Sequence, residues 1–315
     1  MEFKQIKLPP LRNDDKGYAY LFRLAKDIFD NPYRYFQIDF KSCSVIEQNA
    51  VAMIGGLAKH VNAMNSTAKV SITRNLLAKY RIHLKINSMN EAVRQKLIKN
   101  NFLSFFNDGS CSGFPKGDYV GYREHTEYLD SEAIVLHLRD QWLSDEKIRM
   151  SAELKNSIVS KVLEVFMNAY GHSEKTNEAK VISCGEYDEK DNSLKLTVMD
   201  FGVGIIENVH NHLSKQIKDS EAMQWALQTG NSTKTDSIEE IPRGLGFGIL
   251  NDFVRVNKGS IKIYSNNCYA STDEDGEYSV NEINTNFPGT LVTITINCDD
   301  QYYKFVNEPN DENYF

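Results

Sequence analysis

The residues that decide the fold of this chain are Glu164-Val165-Phe166-Met167-Asn168, Asp200-Phe201-Gly202-Val203-Gly204, Arg243-Gly244-Leu245-Gly246-Phe247-Gly248 and Pro288-Gly289-Thr290. Each motif is short, and a single Gly-x-Gly recurs by chance in many proteins. Their order along the chain, and the helix or strand on which each is predicted to lie, make the set specific. The four motifs together predict one composite site in the second half of the chain.

Hydrophobic periodicity places each motif on a helix or at the end of a strand. Apolar residues at helical spacing predict a long helix that carries the first motif, and a polar run over 188–193 separates two apolar strands as in a hairpin. Leu194, Leu196 and Val198 share one face of the second hairpin strand. The predicted helices are 132–143, 152–170, 219–227 and 248–257, and the predicted strands are 181–187, 194–199, 260–265 and 290–296.

Glu164 and Asn168 are four residues apart on the long helix, so both side chains point to the same side of it. Magnesium prefers oxygen ligands and keeps several of its waters, and the carbonyl oxygen of Asn168 can serve as one ligand. Glu164 can orient or deprotonate a nucleophile, a contribution of about 10²–10⁴-fold in rate. The pair predicts a magnesium–triphosphate site, although taken alone it is also typical of an ordinary polar helix flank.

Asp200 is predicted at the end of a strand, directly before two glycines. A carboxylate in that place can accept a hydrogen bond from an exocyclic amine such as that of adenine. Gly202 and Gly204 lack a Cβ, which allows the backbone to approach a ligand closely. The motif by itself is equally compatible with a simple turn, and its place in the series favours a nucleotide.

Gly244, Gly246 and Gly248 lead directly into a predicted helix. Small residues before a helix expose backbone N–H groups, which hold phosphate together with the helix dipole. Arg243, or Lys234 upstream, can add a positive charge to the terminal phosphate. The spacing is neither Gly-x-Gly-x-x-Gly nor that of a P-loop, so the pattern disfavours a Rossmann or P-loop enzyme.

The order Glu-x-x-x-Asn, Asp-x-Gly-x-Gly, Gly-x-Gly-x-Gly, Gly-Thr over 150–298 resembles the GHKL superfamily, the group of gyrase, chaperone, histidine-kinase and mismatch-repair ATPases. The resemblance implies ATP and Mg²⁺ as cofactors, bound in a Bergerat α/β sandwich with a mixed sheet. It implies that Asn168 binds Mg²⁺, Asp200 the adenine amino group and Thr290 the rest of the adenine pocket. The residues that it assigns to the nucleotide and its phosphates are Gly202, Gly204, Gly244, Gly246 and Gly248.

The segment 205–243 corresponds, by the same resemblance, to the ATP lid, and 229–234 resembles the Gly-x-Ser-Thr core of such lids. Within the superfamily, 164–172 is most similar to the anti-sigma-factor serine kinases, which carry Glu-x-x-x-Asn-Ala-x-x-His. The role of His172 stays open. Sensor histidine kinases usually carry Asn in place of Glu164 and need an upstream phospho-accepting hairpin, and gyrase-like proteins need a transducer domain after the ATP fold. The sequence has no candidate for either.

The first part of the chain alternates predicted strands and helices, which indicates a small α/β domain. The predicted strands are 35–40 and 69–73, and apolar residues from Val51 to Val61 predict an amphipathic helix between them. Ser88 followed by Glu91 predicts a capping box that opens a further helix. A glycine-rich break follows at 109–117, so the predicted domains are 1–118 and 119–315.

Residues 39–50, Asp-Phe-Lys-Ser-Cys-Ser-Val-Ile-Glu-Gln-Asn-Ala, resemble without a gap the STAS pattern of anti-sigma antagonists. STAS domains normally present Asp-Ser-Ser-Gly here, and their second serine is phosphorylated. This chain has Asn49 in that place. The resemblance therefore implies a STAS-like, partner-binding domain that a phosphate on residue 49 cannot switch.

Composition and charge exclude several classes of function. The net charge is −7 and no block of five basic residues occurs, so direct binding of nucleic acid is not expected. No apolar stretch approaches the ~20 residues that span a bilayer, and no secretory signal is apparent, so we expect a cytoplasmic protein without membrane contact. The five scattered cysteines indicate reduced thiols.

Two polar segments have ordinary interpretations. His210 and His212, with Asp219 nearby, could be imagined as metal ligands, but no second ligand cluster accompanies them. Loop histidines exposed to solvent are the better interpretation. The acidic tail 299–315 is expected to be a frayed end.

The sequence thus predicts an α+β protein, in which a STAS-like α/β domain precedes a GHKL ATP-binding domain. We expect a bacterial regulatory protein whose lid, 232–243, closes on ATP and Mg²⁺ and changes the surface shown to the other domain or to an unidentified protein partner. Slow hydrolysis is favoured, because Asn49 removes the obvious acceptor in the same chain. Two alternatives stay open, a serine/threonine kinase of a separate partner and a non-catalytic ATP sensor. The analogy with anti-sigma relatives suggests a homodimer.

Overall fold

The computed structural model describes residues 2–31, 34–67, 81–106, 120–125, 131–172, 181–213, 217–228, 231 and 248–309, without the side chains of 63–67 and 171–172. Over these ranges the chain combines helices with parallel and antiparallel strands. The predicted α+β class is therefore confirmed.

Strands and helices alternate along the first part of the chain, where three parallel strands lie side by side in the order of the sequence. Its elements are β1 (Phe3–Lys7), α1 (Asp15–Phe29), β2 (Tyr35–Asp39), α2 (Gln48–Thr67), β3 (Ile82–Lys85), α3 (Glu91–Lys99) and α4 (Phe102–Phe105). The STAS-like assignment of this part stays a prediction.

The second part of the chain forms an antiparallel sheet. Its elements are β4 (Tyr122–His125), α5 (Ser131–His137), β5 (Arg149–Met150), α6 (Ala152–His172), β6 (Val181–Asp188), β7 (Ser193–Asp200), α7 (Ile205–Leu213), α8 (Asp219–Leu227), α9 (Gly248–Asn257), β8 (Ser260–Thr272), β9 (Tyr278–Asn297) and β10 (Tyr302–Tyr303). The spatial order of the large sheet is β4-β6-β7-β9-β8, and its described pairings are all antiparallel. β5 and β10 pair in parallel in a separate sheet, so the two strand directions do not mix within the described part of the large one.

Most elements predicted in the second part are confirmed. α8 and α9 have the predicted bounds, α6 continues to His172, and β6 and β7 form the predicted hairpin. The polar excursion expected between the last two strands is itself paired, because β8 and β9 continue as a hairpin up to Thr272 and Tyr278. Cross-strand pairing thus extends well beyond the apolar runs that predicted these strands.

Several predictions for the first part are wrong or lie outside the described residues. β1 and α1 were not predicted, and the strand expected at 69–73 lies outside the described residues. The capping box at Ser88 is not formed: the side chain of Asn90 caps α3 by accepting from the backbone N–H of Val93 at 2.9 Å. Ser88 instead accepts from the N–H of Phe40 and donates to the carbonyl of Lys85, which ties the end of β2 to β3.

Over 48–58, α2 is buried on every side rather than amphipathic. It contacts β3 of the parallel sheet as well as β6 and β7 of the antiparallel sheet. A helix enclosed between two sheets has no solvent face, so its apolar residues need not form a single stripe.

Helices cover both faces of the antiparallel sheet. One face carries Leu194, Leu196 and Val198 and shares a core with α5, α6, α7, α8 and α9. The opposite face carries Met199 and Leu291 and shares a core with α1 and α2. The predicted boundary after residue 118 lies outside the described residues and stays a prediction, but the first part of the chain packs directly on the sheet of the second.

Buried polar side chains pair with one another where α1 and α2 meet the sheet. The hydroxyl of Tyr18 lies 2.8 Å from that of Thr293, which in turn lies 2.9 Å from the hydroxyl of Thr197. The ammonium group of Lys195, on the same face, lies 2.9 Å from Asp188 and 3.7 Å from Glu47. These pairs satisfy groups that would otherwise be buried at a cost of about 1–3 kcal/mol each.

The chain after β9 is attached to the rest of the fold through Tyr303 and Glu308, so the predicted frayed tail is wrong for 299–308. β10 pairs with β5, and Tyr303 is buried. Glu308 accepts hydrogen bonds from the hydroxyl of Ser151 at 2.7 Å and from the N–H of Phe305 at 2.8 Å. The hydrogen bond between Glu308 and Ser151 thereby connects the segment after β9 to the start of α6.

Replacing Tyr18 with Phe should lower the free energy of unfolding by about 1–2 kcal/mol, because Thr293 loses a buried hydrogen-bond partner. Urea denaturation of the full chain measures the change. Tyr20→Phe is the matched control, since the hydroxyl of Tyr20 bonds the carbonyl of Lys7 at an exposed site, and its effect should stay below about 0.5 kcal/mol. Equal effects of the two variants would show that the interface network adds no stability.

Candidate functional site

Asp200 is the last residue of β7 and lies opposite Thr290 of β9. Its side chain is buried, with 1% of the residue exposed. One carboxylate oxygen, Oδ1, accepts from the N–H of Gly202 at 2.7 Å. The other, Oδ2, is buried and has no hydrogen-bond partner among the described residues. Because side chains alternate along a strand, Asp200 lies on the face of Leu196 and Val198, towards α6.

Burial raises the pKa of Asp200 to about 7, against the opposing effect of the backbone N–H groups of Gly202 and Thr290. A buried carboxylate with an unpaired oxygen is costly, and such groups in folded proteins normally have a partner. The arrangement therefore suits a ligand that brings a hydrogen-bond donor to Oδ2.

Gly289 allows β9 to lie against the end of β7. Its φ is +111°, and a Cβ on it would overlap the carbonyl oxygen of Asp200. Gly204 also has a positive φ, of +84°, and a Cβ there would overlap the amide of Asn266. The backbone conformation and the contact with Asn266 both require glycine at position 204, and the nucleotide role that the resemblance implies for Gly204 stays a prediction.

Two side chains of β8, which were not predicted as site residues, hold the start of α7. The hydroxyl of Ser265 accepts from the N–H of Ile205 at 2.7 Å and donates to the carbonyl of Gly289 at 2.8 Å. The amide oxygen of Asn266 accepts from the N–H of Ile206 at 3.2 Å. Ser265 also lies 3.2 Å from the hydroxyl of Thr290. Nothing in the local sequence signals these roles, because the bonded residues are 24 to 60 positions apart.

Glu164 and Asn168 lie half-buried on α6, beside the stripe of that helix that enters the core. The buried stripe is the predicted one, Ile158, Val162, Phe166 and Ala169. The carboxylate of Glu164 accepts from the ammonium group of Lys161 at 2.6 Å. The side chain of Asn168 makes no hydrogen bond within the described part of the chain. Lys161 is a residue beside the site that the motifs did not indicate.

The structure brings part of the predicted site to one side of the sheet. α6, which carries Glu164 and Asn168, packs on the face of β7 and β9 towards which Asp200 points. α9 begins at Gly248 and packs against α6 on that face. The remaining predicted phosphate residues, Lys234, Arg243, Gly244 and Gly246, lie outside the described residues and stay predictions.

The predicted lid, 205–243, begins with two packed helices. α7 and α8 contribute buried residues to the core shared with α6, among them Val209 and Met223. The first part of the predicted lid, α7 and α8, is therefore packed into the core of the second part of the chain. Most of its second part, including 232–243, lies outside the described residues.

The prediction that His210 and His212 lie in a loop is wrong, because both lie on α7; His212 is exposed to solvent as predicted, whereas His210 is half-buried. The imidazole Nε2 of His210 is 3.0 Å from the carboxylate of Asp219, and the ring of His212 lies 5.6 Å from that of Trp225. No group of three side chains suited to a metal ion occurs among the described residues. The side chain of His172 is not described.

Two further features concern the cysteines and the apolar character of the helices. Cys43, Cys184, Cys268 and Cys298 are buried and free of disulfide bonds, and Cys111 lies outside the described residues. In the described ranges, no helix has the length and apolar character needed to cross a membrane.

No protein-family model matches the sequence, and no curated protein is found to be similar to it. Among solved structures, the chain is similar to the histidine kinase domain from Erythrobacter litoralis EL346 blue-light activated histidine kinase, at 15% identity and a TM-score of 0.27, over 89% of this chain and 94% of that one.

The free energy of unfolding should depend on pH, because the carboxyl group of Asp200 is buried in the folded protein. The unfolded chain releases this proton near pH 3.8, whereas the folded protein keeps it to about pH 7. The contribution of this group to the free energy of unfolding is thus complete below about pH 4 and is lost as the pH rises through 7. At about 1.4 kcal/mol per pKa unit, the loss between these two pH values is on the order of 4 kcal/mol.

Urea denaturation of the wild type and of Asp200→Asn between about pH 4 and pH 8 measures this contribution as a difference. The variant should gain stability relative to the wild type as the pH rises, because its amide does not titrate. Asp252→Asn, at an exposed position on α9, is the matched control. A constant difference for Asp200→Asn would contradict the buried, partly unpaired carboxylate.

Proposed function

We propose that this chain binds ATP with Mg²⁺ and uses the nucleotide as a conformational switch that controls binding of a protein partner. The observation that carries the proposal is the buried carboxylate of Asp200, whose Oδ2 has no partner in the described structure. An exocyclic amine is a donor of the right kind for this oxygen. Adenine supplies such an amine.

The surroundings of Asp200 support adenine as the occupant. Thr290 lies next to Asp200 across the strand pair, and its hydroxyl is held by Ser265. The carbonyl of Gly289 is already bonded to Ser265, so the backbone at this point is fixed before a ligand arrives. A preformed polar site of this kind loses little freedom on binding.

The triphosphate would extend towards α6 and α9. In this proposal Asn168 offers its amide oxygen to Mg²⁺, which prefers oxygen ligands. The start of α9 at Gly248 offers N–H groups and the positive end of the helix dipole to phosphate. Lys234, Arg243, Gly244 and Gly246 would complete the phosphate contacts.

Two properties of Asn49 favour hydrolysis over phosphate transfer within the chain. Its side chain is an amide, and it is fully buried at the start of α2, where its nitrogen donates to the carbonyl of Arg12 at 3.2 Å. A phosphoryl group would therefore find neither a hydroxyl nor access at this position. Glu164 is the proposed catalytic residue, which orients the attacking water in slow hydrolysis.

One observation favours a second candidate, an ATP sensor without turnover. Lys161 holds one oxygen of Glu164, Oε1, at 2.6 Å, and this ammonium group competes with a nucleophile for the carboxylate. In a sensor, ATP would act by preferring the closed conformation, and no phosphate would be released. A kinase that acts on a separate partner would instead place radiolabel from γ-labelled ATP on that protein.

Asp200→Ala and Asn168→Ala should each abolish the stabilisation of the full chain by ATP and Mg²⁺. At a nucleotide concentration of 100 times Kd this stabilisation is about 2.7 kcal/mol in the wild type, and thermal unfolding with and without nucleotide measures it. Asp252→Ala and the exposed Asn281→Ala are matched controls that should keep it. Wild-type ATP affinity in both site variants would refute the assigned site.

Glu164→Ala should reduce phosphate release from ATP by about 10²-fold or more while ATP binding persists. A phosphate-release assay and calorimetric titration, performed on the same preparation, separate the two quantities. Lys161→Ala is the companion variant, because it frees the Glu164 carboxylate and should leave the release rate equal or higher. ATP binding by the wild type without any release would favour the sensor over the hydrolase.

A further inference from the structure

Phe201 directly follows Asp200, and its ring enters the core on the other face of the sheet. The ring centroid lies 4.9 Å from the imidazole of His60 on α2 and 5.7 Å from the ring of Phe29 on α1. It also lies 5.8 Å from the ring of Phe287 on β9. Phe201 thus contacts the first part of the chain, whereas its neighbour Asp200 points towards α6.

α2 contacts the Phe201 ring without free space between them. A Cβ placed on Gly56 would lie 3.1 Å from Cε2 of Phe201 and 3.3 Å from the methyl carbon of Met199. Glycine inside a helix costs about 1 kcal/mol relative to alanine. The close approach of α2 to this ring gives a physical reason for that cost.

A short, tightly packed backbone segment connects the Phe201 ring to the Asp200 carboxylate. Asp200 Oδ1 accepts from the N–H of Gly202, so the residues on either side of Phe201 are bonded to each other. β9 lies against the same backbone at Gly289, where an added Cβ would stand 2.8 Å from the Cα of Phe201. The Asp200 carboxylate and the Phe201 ring are therefore attached to one short backbone segment, which β9 contacts directly and α1 and α2 contact through the ring.

We propose that Phe201 is a positioning residue, through which α1 and α2 hold the Asp200 carboxylate in place for the adenine amine. This proposal rests on the nucleotide site proposed above and adds its regulation. Nucleotide affinity then depends on how α1 and α2 dock on the sheet. By linkage, bound nucleotide strengthens that docking by the same factor.

Phe201→Leu tests the proposal against Phe22→Leu. Phe22 is buried in the same core, with its ring 4.9 Å from that of Tyr264 and 5.1 Å from that of Phe287. Both variants lose a ring that packs against Phe287, and Phe22→Leu should destabilise the protein at least as much as Phe201→Leu, because Phe22 is buried and Phe201 only partly buried. The Kd for a non-hydrolysable ATP analogue with Mg²⁺, measured by calorimetric titration on the full chain, should rise at least tenfold for Phe201→Leu and less than twofold for Phe22→Leu. Equal effects of the two variants would overturn the proposal.

A second measurement needs no nucleotide. The free energy of unfolding is measured from about pH 4 to pH 8 for the wild type and for Asp200→Asn, and the difference between the two is taken at each pH. The same pair is then measured in the Phe201→Leu background. If Phe201 holds the carboxylate in its buried place, the pH-dependent part of this difference should fall by at least half in the Phe201→Leu background. An unchanged difference would overturn the positioning role.

The two measurements separate the failure of each proposal. A wild type that does not bind the ATP analogue would refute the proposed function. The nucleotide-free pH series would still decide whether Phe201 positions Asp200, because it uses only the titration of that carboxylate. A halved pH-dependent difference together with an unchanged Kd would also overturn the coupling to nucleotide.

Discussion

β7 is buried along its whole length, and this burial constrains the rest of the structure. Each residue from Ser193 to Asp200 is buried, because helices cover both faces of the antiparallel sheet. The apolar residues of one face pack on α6, whereas the other face includes Lys195 and Thr197, which are paired with groups around them. A buried polar group without a partner is costly. At the end of this strand, Asp200 keeps one unpaired oxygen, and this is the physical reason to expect a ligand there.

The Asp200-Phe201-Gly202 motif joins the two halves of the molecule. Alternation along the strand sends Asp200 towards α6 and Phe201 towards α1 and α2. The first part of the chain is therefore part of the surroundings of the proposed site rather than a separate module beside it. The same packing buries Asn49, which stands where the STAS pattern has its phosphorylated serine.

Elements with strong local signals were predicted accurately. α8 and α9 have the predicted bounds, because helical periodicity is fixed by neighbouring residues. Elements whose bounds depend on distant partners were not predicted accurately. β8 and β9 extend far beyond their apolar runs because each supplies the hydrogen bonds of the other, and α2 is buried on every side over 48–58 because two sheets enclose that part of it. Ser88 matched a capping box, but its hydroxyl is used to join β2 and β3 instead.

The sequence by itself determined which residue types stand ready for a nucleotide: an acid and an amide one helical turn apart, and a carboxylate at the end of a strand. These are local features, set by residue identity and spacing. Only the tertiary structure decided that Asp200 is buried with a free oxygen, that Ser265 fixes the backbone at Gly289, and that Phe201 lies against α1 and α2. Each of these properties depends on groups far apart in the chain. Sequence periodicity reports which face of an element is apolar, but not which distant element covers that face.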